Sequence, residues 1–155
     1  VNANGQPAQR SVIRPSPLQI GDFAYRLSIT TRWRDNDVYG HVNNVVYYAF
    51  FDTVVNRYLI EQGVLDPEGG SVIGLVVETQ CHYFSSISFP DNVVAALRVE
   101  HIGRSSVCYE IGLFRNDDRV AAAQGRFVHV YVDRATRRPV ALPPEWRSVL
   151  GHLKA

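Results

Sequence analysis

Two carboxylates, Asp35 and Asp37, stand two residues apart in the run Trp33-Arg34-Asp35-Asn36-Asp37-Val38-Tyr39-Gly40-His41-Val42-Asn43-Asn44-Val45-Val46-Tyr47. The run breaks a strand-like pattern and ends where a helical pattern begins, so the carboxylates sit in a loop ahead of a helix. A helix N-terminus has unpaired N–H groups and a partial positive charge. Those groups can hold an anion or stabilise an oxyanion as it develops. A carboxylate just upstream can turn back to the same point and attack a carbonyl or activate water. Together they supply what acyl transfer needs.

Position alone does not separate the two: either could serve as that carboxylate or hold the loop through its backbone N–H groups, the latter being the reading for Asp35. His41 has two readings: it orients Asp37 or binds substrate, or it packs and hydrogen-bonds only. Asn43 or Asn44 caps the helix.

The positioning elements follow from periodicity. Residues 1–21 are rich in Asn, Gln, Pro, Ser and Arg without apolar period, and are read as a flexible lead-in; residues 22–155 form one domain. Phe23, Tyr25, Leu27 and Ile29 alternate with Ala24, Arg26, Ser28 and Thr30, a half-buried strand. A single long helix is expected over residues 44–62, ended by Gly63. It is apolar around most of its circumference, so it is expected to be surrounded by protein. Asp52 and Asn56 share one of its faces, read as solvated or as an interface. Tyr47, Tyr48, Phe50 and Phe51 are read as core.

Strands are expected over residues 72–83, 93–102, 107–115 and 120–132, with a turn at Asn116-Asp117-Asp118. Gly125 inside the last strand suggests a bulge or bend. Pro143-Pro144-Glu145 opens a short C-terminal helix. Short links between the later strands favour antiparallel pairing. The fold class is therefore α+β: a five-stranded antiparallel sheet wrapped around one long central helix.

Composition narrows the function. The chain has 155 residues, 46% of them hydrophobic, and a formal net charge of +1. That suits one domain and implies no broad nucleic-acid surface. No apolar run approaches the roughly 20 residues of a membrane span. No secretion signal is visible, and a cytoplasmic location is expected. Cys81 and Cys108 form no CxxC pair and are read as reduced, packed thiols. His82, His101, His129 and His152 show no metal spacing, so no metal is expected. Ser85 and Ser86 lack a G-x-S-x-G elbow.

The D-x-D-x-x-G-H-V-N-N run with its aromatic helix resembles the 4-hydroxybenzoyl-CoA thioesterase-like branch of the hotdog superfamily. Ser88-Phe89-Pro90-Asp91, Gly103-Arg104-Ser105-Ser106, and Val130-Tyr131-Val132-Asp133 with Arg138-Pro139 resemble later turns and strands of that family, in order. The resemblance covers residues 23–150. It implies a hotdog fold and hydrolysis of an acyl-CoA thioester. It implies that Asp37 acts as nucleophile or general base and that the N–H near Asn44 polarises the carbonyl. Coenzyme A is then part of the substrate, and no cofactor is expected. Asn43, Tyr47, Arg104, Ser105 and Ser106 are the substrate-binding candidates. The last three are read as phosphate contacts, ahead of Arg134, Arg137 and Arg138, although Arg104-Ser105-Ser106 also reads as a plain hairpin turn.

His41 stands where the 4-hydroxybenzoyl-specific enzymes often carry a non-ionisable residue, which leans toward a general acyl-CoA hydrolase. The resemblance also implies a homodimer joined sheet edge to sheet edge, with dimers pairing into a homotetramer. An acyl carrier protein is the other substrate source. Two other activities fit the same residues: hydration of an enoyl thioester by Asp37 and His41 as acid and base, and acyl-CoA binding without turnover.

Overall fold

The computed structural model describes residues 15–155. Its elements are β1 (Tyr25–Thr30), α1 (Asn44–Glu61), β2 (Val72–Tyr83), β3 (Asn92–Ile102), β4 (Ser106–Arg115), β5 (Ala123–Asp133) and α2 (Pro144–Gly151). The strands form one antiparallel sheet in the order β1-β3-β4-β5-β2. One face curls around α1. Tyr47, Phe50, Phe51, Val54, Val55, Tyr58 and Leu59 of the helix are buried against it. This is the arrangement the resemblance implies.

Local chemistry sets the boundaries. Asn43 is the cap of α1, its side-chain oxygen accepting the Val45 N–H at 3.1 Å. Gly63, at φ +72°, follows the last turn in the left-handed conformation that favours glycine. Asn116, at φ +52°, turns β4 back toward β5, a conformation Asn tolerates better than most residues. α2 lays Trp146 and Leu150 into the far end of the core, with Trp146 4.9 Å from the Tyr131 ring. The Tyr58 hydroxyl donates to Val149 O at 2.6 Å and ties α1 to α2.

Three expectations are corrected. The long helix is covered on one side only, leaving Val45, Asp52, Thr53 and Ile60 exposed. One curled sheet can cover just one face of a cylinder. Gly125 is not a bulge: it pairs in register with Cys81 and Ile111. The glycine is there because Phe51 of α1 crosses it, and a Cβ would fall 2.2 Å from the ring. The sheet's irregularities lie between Val76 and Glu78 and between Val99 and His101. β5 starts at Ala123 rather than 120, because Val120 bridges Gln19 instead of joining the sheet ladder.

The lead-in expected over residues 1–21 lies in part outside the described residues. From residue 15 on, the chain is laid against the sheet. Ala121 N–H donates to Leu18 O at 2.9 Å, and Leu18 N–H donates to the Gln124 side chain at 2.8 Å.

Candidate active site

The loop between β1 and α1 is tied down residue by residue. Asp35 is buried, and its carboxylate accepts the Arg32 N–H at 2.7 Å and the Arg32 guanidinium at 2.8 Å. Burial would raise this carboxyl, but the bonds from Arg32 outweigh it and hold the group below the ordinary carboxylate range. Asp35 O accepts the Asn43 N–H at 2.8 Å, which fixes the helix start. Asp35 is structural, as its loop position suggested.

Residues 36–42 form a small turned-back unit. Asn36 bridges Val42, Asp37 N–H donates to His41 O at 2.8 Å, and Gly40 N–H donates to Asp37 O at 3.1 Å. Gly40 closes the turn at φ +80°. The segment after β2 clamps this unit. Val42 N–H donates to Ile87 O at 2.8 Å, Phe89 N–H to the Asn36 side chain at 3.0 Å, and the Ser88 hydroxyl to Gly40 O at 2.9 Å.

One carboxylate oxygen of Asp37 accepts the Tyr39 N–H at 2.8 Å. Among the described residues, no bond engages the other oxygen. Asp37 borders a cavity of about 380 Å³ together with His41 and Asn44. Its walls are Val42, Tyr47, Tyr83 and Phe84, and Ser85 and Ser86 add hydroxyls at the rim. Asn44 is the first residue of α1, so its N–H has no intrahelical acceptor. A carboxylate, a helix N-terminus and a partly aromatic wall thus meet around one space.

Tyr47 is both core and wall: it is buried, its ring 5.0 Å from that of Tyr83. Burial pushes its phenol above the ordinary value, so it stays protonated at neutral pH. Asn43 serves as the cap just described. Asp52, on the exposed side of α1, does not line this cavity.

Tyr83, Phe84, Ser85 and Ser86 were missed in the sequence. They lie far from the D-x-D loop along the chain, and the bonds from Val42 N–H to Ile87 O and from Phe89 N–H to Asn36 bring them beside it. The break in strand pattern after Tyr83 was the one available signal.

Arg104, Ser105 and Ser106 do not join the cavity of their own chain. They form the turn between β3 and β4, whereas Asp37 lies by the start of β3. Strand β3 separates them by roughly 35 Å. The backbone of this turn is engaged: Leu142 N–H donates to Arg104 O at 2.9 Å, Tyr131 N–H to Ser105 O at 2.7 Å, and Arg147 to Gly103 O at 2.8 Å. Arg134 is likewise structural, donating to Gly70 O and Pro67 O of the α1–β2 connection.

Neither cysteine offers a nucleophile. Burial pushes the Cys81 thiol up to about 11. Burial, with the neighbouring Glu100 carboxylate, takes Cys108 to about 12. Both stay thiols at neutral pH. Among the described residues, no group of His, Cys, Asp and Glu could hold a metal ion, and no helix is long and apolar enough to cross a membrane.

A five-stranded antiparallel sheet closed on one long helix, with an acid loop at that helix's N-terminus, is a hotdog fold, and the family match makes the chain a thioester hydrolase. The chain belongs to the thioesterase-like superfamily, whose model matches residues 31–150. Its structure is similar to that of the PA5185 protein from Pseudomonas aeruginosa strain PAO1, at 54% identity and TM-score 0.88 over 91% of this chain and 98% of that one. It shares the fold of Slr0204, a 1,4-dihydroxy-2-naphthoyl-CoA thioesterase from Synechocystis, at 14% identity and TM-score 0.74 over 82% and 95%. The uncharacterized protein YsmA of Bacillus subtilis is 22% identical over 85% of this chain and 88% of its own.

Proposed function

We propose that this hydrolase acts on acyl-CoA thioesters, with Asp37 as nucleophile or general base and the Asn44 N–H as oxyanion donor. The observation that carries this reading is the single cavity shared by Asp37 and the α1 N-terminus, next to an aromatic wall. In the general-base route, Asp37 takes a proton from water as its oxygen bonds to the carbonyl carbon. Negative charge then builds on the carbonyl oxygen, where the Asn44 N–H meets it. The tetrahedral species collapses, the C–S bond breaks, and the thiolate takes the proton back from Asp37. In the nucleophile route, the free Asp37 oxygen attacks the carbonyl and expels the thiolate. Water then hydrolyses the mixed anhydride. Neither route consumes a cofactor, and coenzyme A enters as part of the substrate.

His41 borders the same cavity and serves as a positioning or substrate-binding residue. Asn43 and Tyr47 hold the helix start and the wall. Arg104, Ser105 and Ser106 enter through a second copy of the chain. Among the described residues, the outer edge of β2 has no strand partner, and it exposes Leu75, Val76 and Val77. Two such edges pairing antiparallel bury those side chains. They also bring the β3–β4 turn of one copy to the end of the joined sheet where Asp37 of the other lies. The working unit is then a homodimer, able to pair further into a tetramer, and its location is cytoplasmic. The Asp37–His41 pair also favours one second reading, hydration of an enoyl thioester.

A panel of acyl-CoAs with free-thiol detection tests the proposal. Thiol release is expected to fall by about 10²–10⁴-fold in Asp37→Asn. Near-wild-type release by that variant would remove the mechanism, and loss of crotonyl-CoA absorbance without thiol release would favour the hydratase. Label from ¹⁸O-water found in Asp37 after a single turnover would establish the nucleophile route, because only the anhydride can deliver it there.

A further inference from the structure

The tip of the acid loop carries the most exposed large apolar side chains among the described residues. Trp33 is 83% exposed, Val38 93% and Tyr39 82%. Trp33 and Val38 flank one hollow of about 260 Å³, with Asn36, Asp37 and Gly40 between them. Large apolar groups clustered in water mark a contact surface. The cluster is also held in place. Trp33 opens a short turn that the Asp35 carboxylate ties to Arg32, and its ring meets Phe89 edge-on at 5.8 Å. Val38 and Tyr39 ride on the turn closed by Gly40, where the Tyr39 N–H donates to Asp37 at 2.8 Å. The neighbouring free charge is positive. Arg34 is exposed and, among the described residues, forms no ion pair.

We propose that this loop tip docks on an anionic lipid surface, with Trp33, Val38 and Tyr39 entering the interface and Arg34 meeting the headgroups. The proposal goes beyond the thioesterase reading and does not depend on it. The contact is peripheral, since among the described residues no helix is long and apolar enough to cross a membrane. Area favours lipid over a protein partner. Two aromatic side chains and one valine present roughly 600 Å² at most. Each partner in a stable protein interface buries about 800 Å². Shape points the same way. Side chains this exposed project from the surface, and a protein would need a matching pocket for each. A fluid interface closes around whatever enters it. The residue types fit as well. Trp and Tyr join a large apolar ring to a polar N–H or O–H, which suits the headgroup level, dry at one end and wet at the other. Arg34 adds attraction to anionic headgroups. Docked in this way, the loop that holds Asp37 stands at the boundary where amphiphiles with long acyl chains collect.

The test mixes the full chain with vesicles of phosphatidylcholine, alone or with phosphatidylglycerol, and measures co-sedimentation with no thioester present. The anionic vesicles are expected to bind more protein than the neutral ones, and added salt should narrow the difference. Trp33→Ala is expected to weaken partitioning about tenfold. Arg34→Gln should weaken it about fivefold, on the anionic vesicles only. Brominated lipid locates the contact. The chain has two tryptophans, and Trp146 is 3% exposed, so quenching by brominated vesicles reports Trp33. Trp33→Phe keeps an apolar ring. It should still bind but lose the quenching, which separates the contact from any loosening of the loop in Trp33→Ala. No co-sedimentation with either vesicle overturns the proposal. So does binding that leaves Trp33 unquenched, or binding that neither Trp33→Ala nor Arg34→Gln weakens. Self-association without vesicles that Trp33→Ala abolishes also overturns it, and gives the surface to a second copy instead. Thiol release enters none of these readouts, so failure of the thioesterase reading is scored separately.

Discussion

Asp35 and Asp37 are the same residue type two positions apart, and the fold gives them opposite surroundings. Asp35 is buried and bonded by Arg32, and it anchors the first residue before the helix. Asp37 borders two cavities with one carboxylate oxygen committed to Tyr39 N–H. The two are separable by experiment. Asp37→Asn retains an oxygen for the Tyr39 N–H, so its thermal midpoint is expected to match the wild type while turnover is lost. Asp35→Asn loses charge-assisted acceptors in a buried place, a cost of about 1–3 kcal/mol. Its midpoint is expected to fall by roughly 3–8 °C, with activity reduced only through the loosened loop. Differential scanning calorimetry beside the thiol assay checks both. An unchanged midpoint in Asp35→Asn would end its structural assignment.

At the scale of elements, β5 carries the least compatible pairings. Phe51 of α1 occupies the space above Gly125, so helix and sheet approach more closely there than any side chain allows. Further along β5, His129 is buried among the rings of Tyr109, Phe127 and Tyr131, and among the described residues its Nε2 has no hydrogen-bond partner. Burial lowers its pKa to about 4. The unfolded chain protonates His129 near pH 6.5. Above that pH neither state holds the proton, and the contribution to stability is complete. As pH falls from about 6.5 toward 4 the unfolded state binds the proton first, and up to about 3 kcal/mol is lost. Urea midpoints measured between pH 7 and pH 4 should drop accordingly, and His129→Phe should flatten that part of the profile. A histidine variant with an unaltered profile would show that other groups carry the acid sensitivity.

At the scale of the molecule, the exposed side of α1 and the unpaired edge of β2 point to the same conclusion. Both surfaces are open to the second copy proposed for the working unit. Val77 sits at the irregularity in β2 and is exposed. Val77→Pro removes an edge N–H and twists the edge away from a partner strand. It is expected to shift the protein toward monomer in sedimentation and to lower turnover at the same time. Full activity in a monomer would dissociate the site from the second copy, and with it the phosphate role of Arg104, Ser105 and Ser106.

The sequence by itself determined the element order, the five strands around one long helix, a helix cap at Asn43 or Asn44 and the contiguous acid run that holds Asp37. These are local properties: apolar period, capping chemistry and turn residues act over a few positions, and the D-x-D-x-x-G-H-V-N-N run is contiguous. Only the tertiary structure decided that Tyr83 to Ser86 complete the wall, that Gly125 marks the crossing of Phe51 rather than a bulge, and that Arg104 to Ser106 stand at the far end of the sheet. Each of these depends on strand register and on helix-to-sheet distance. Those are set by packing between residues tens of positions apart, where periodicity carries no information.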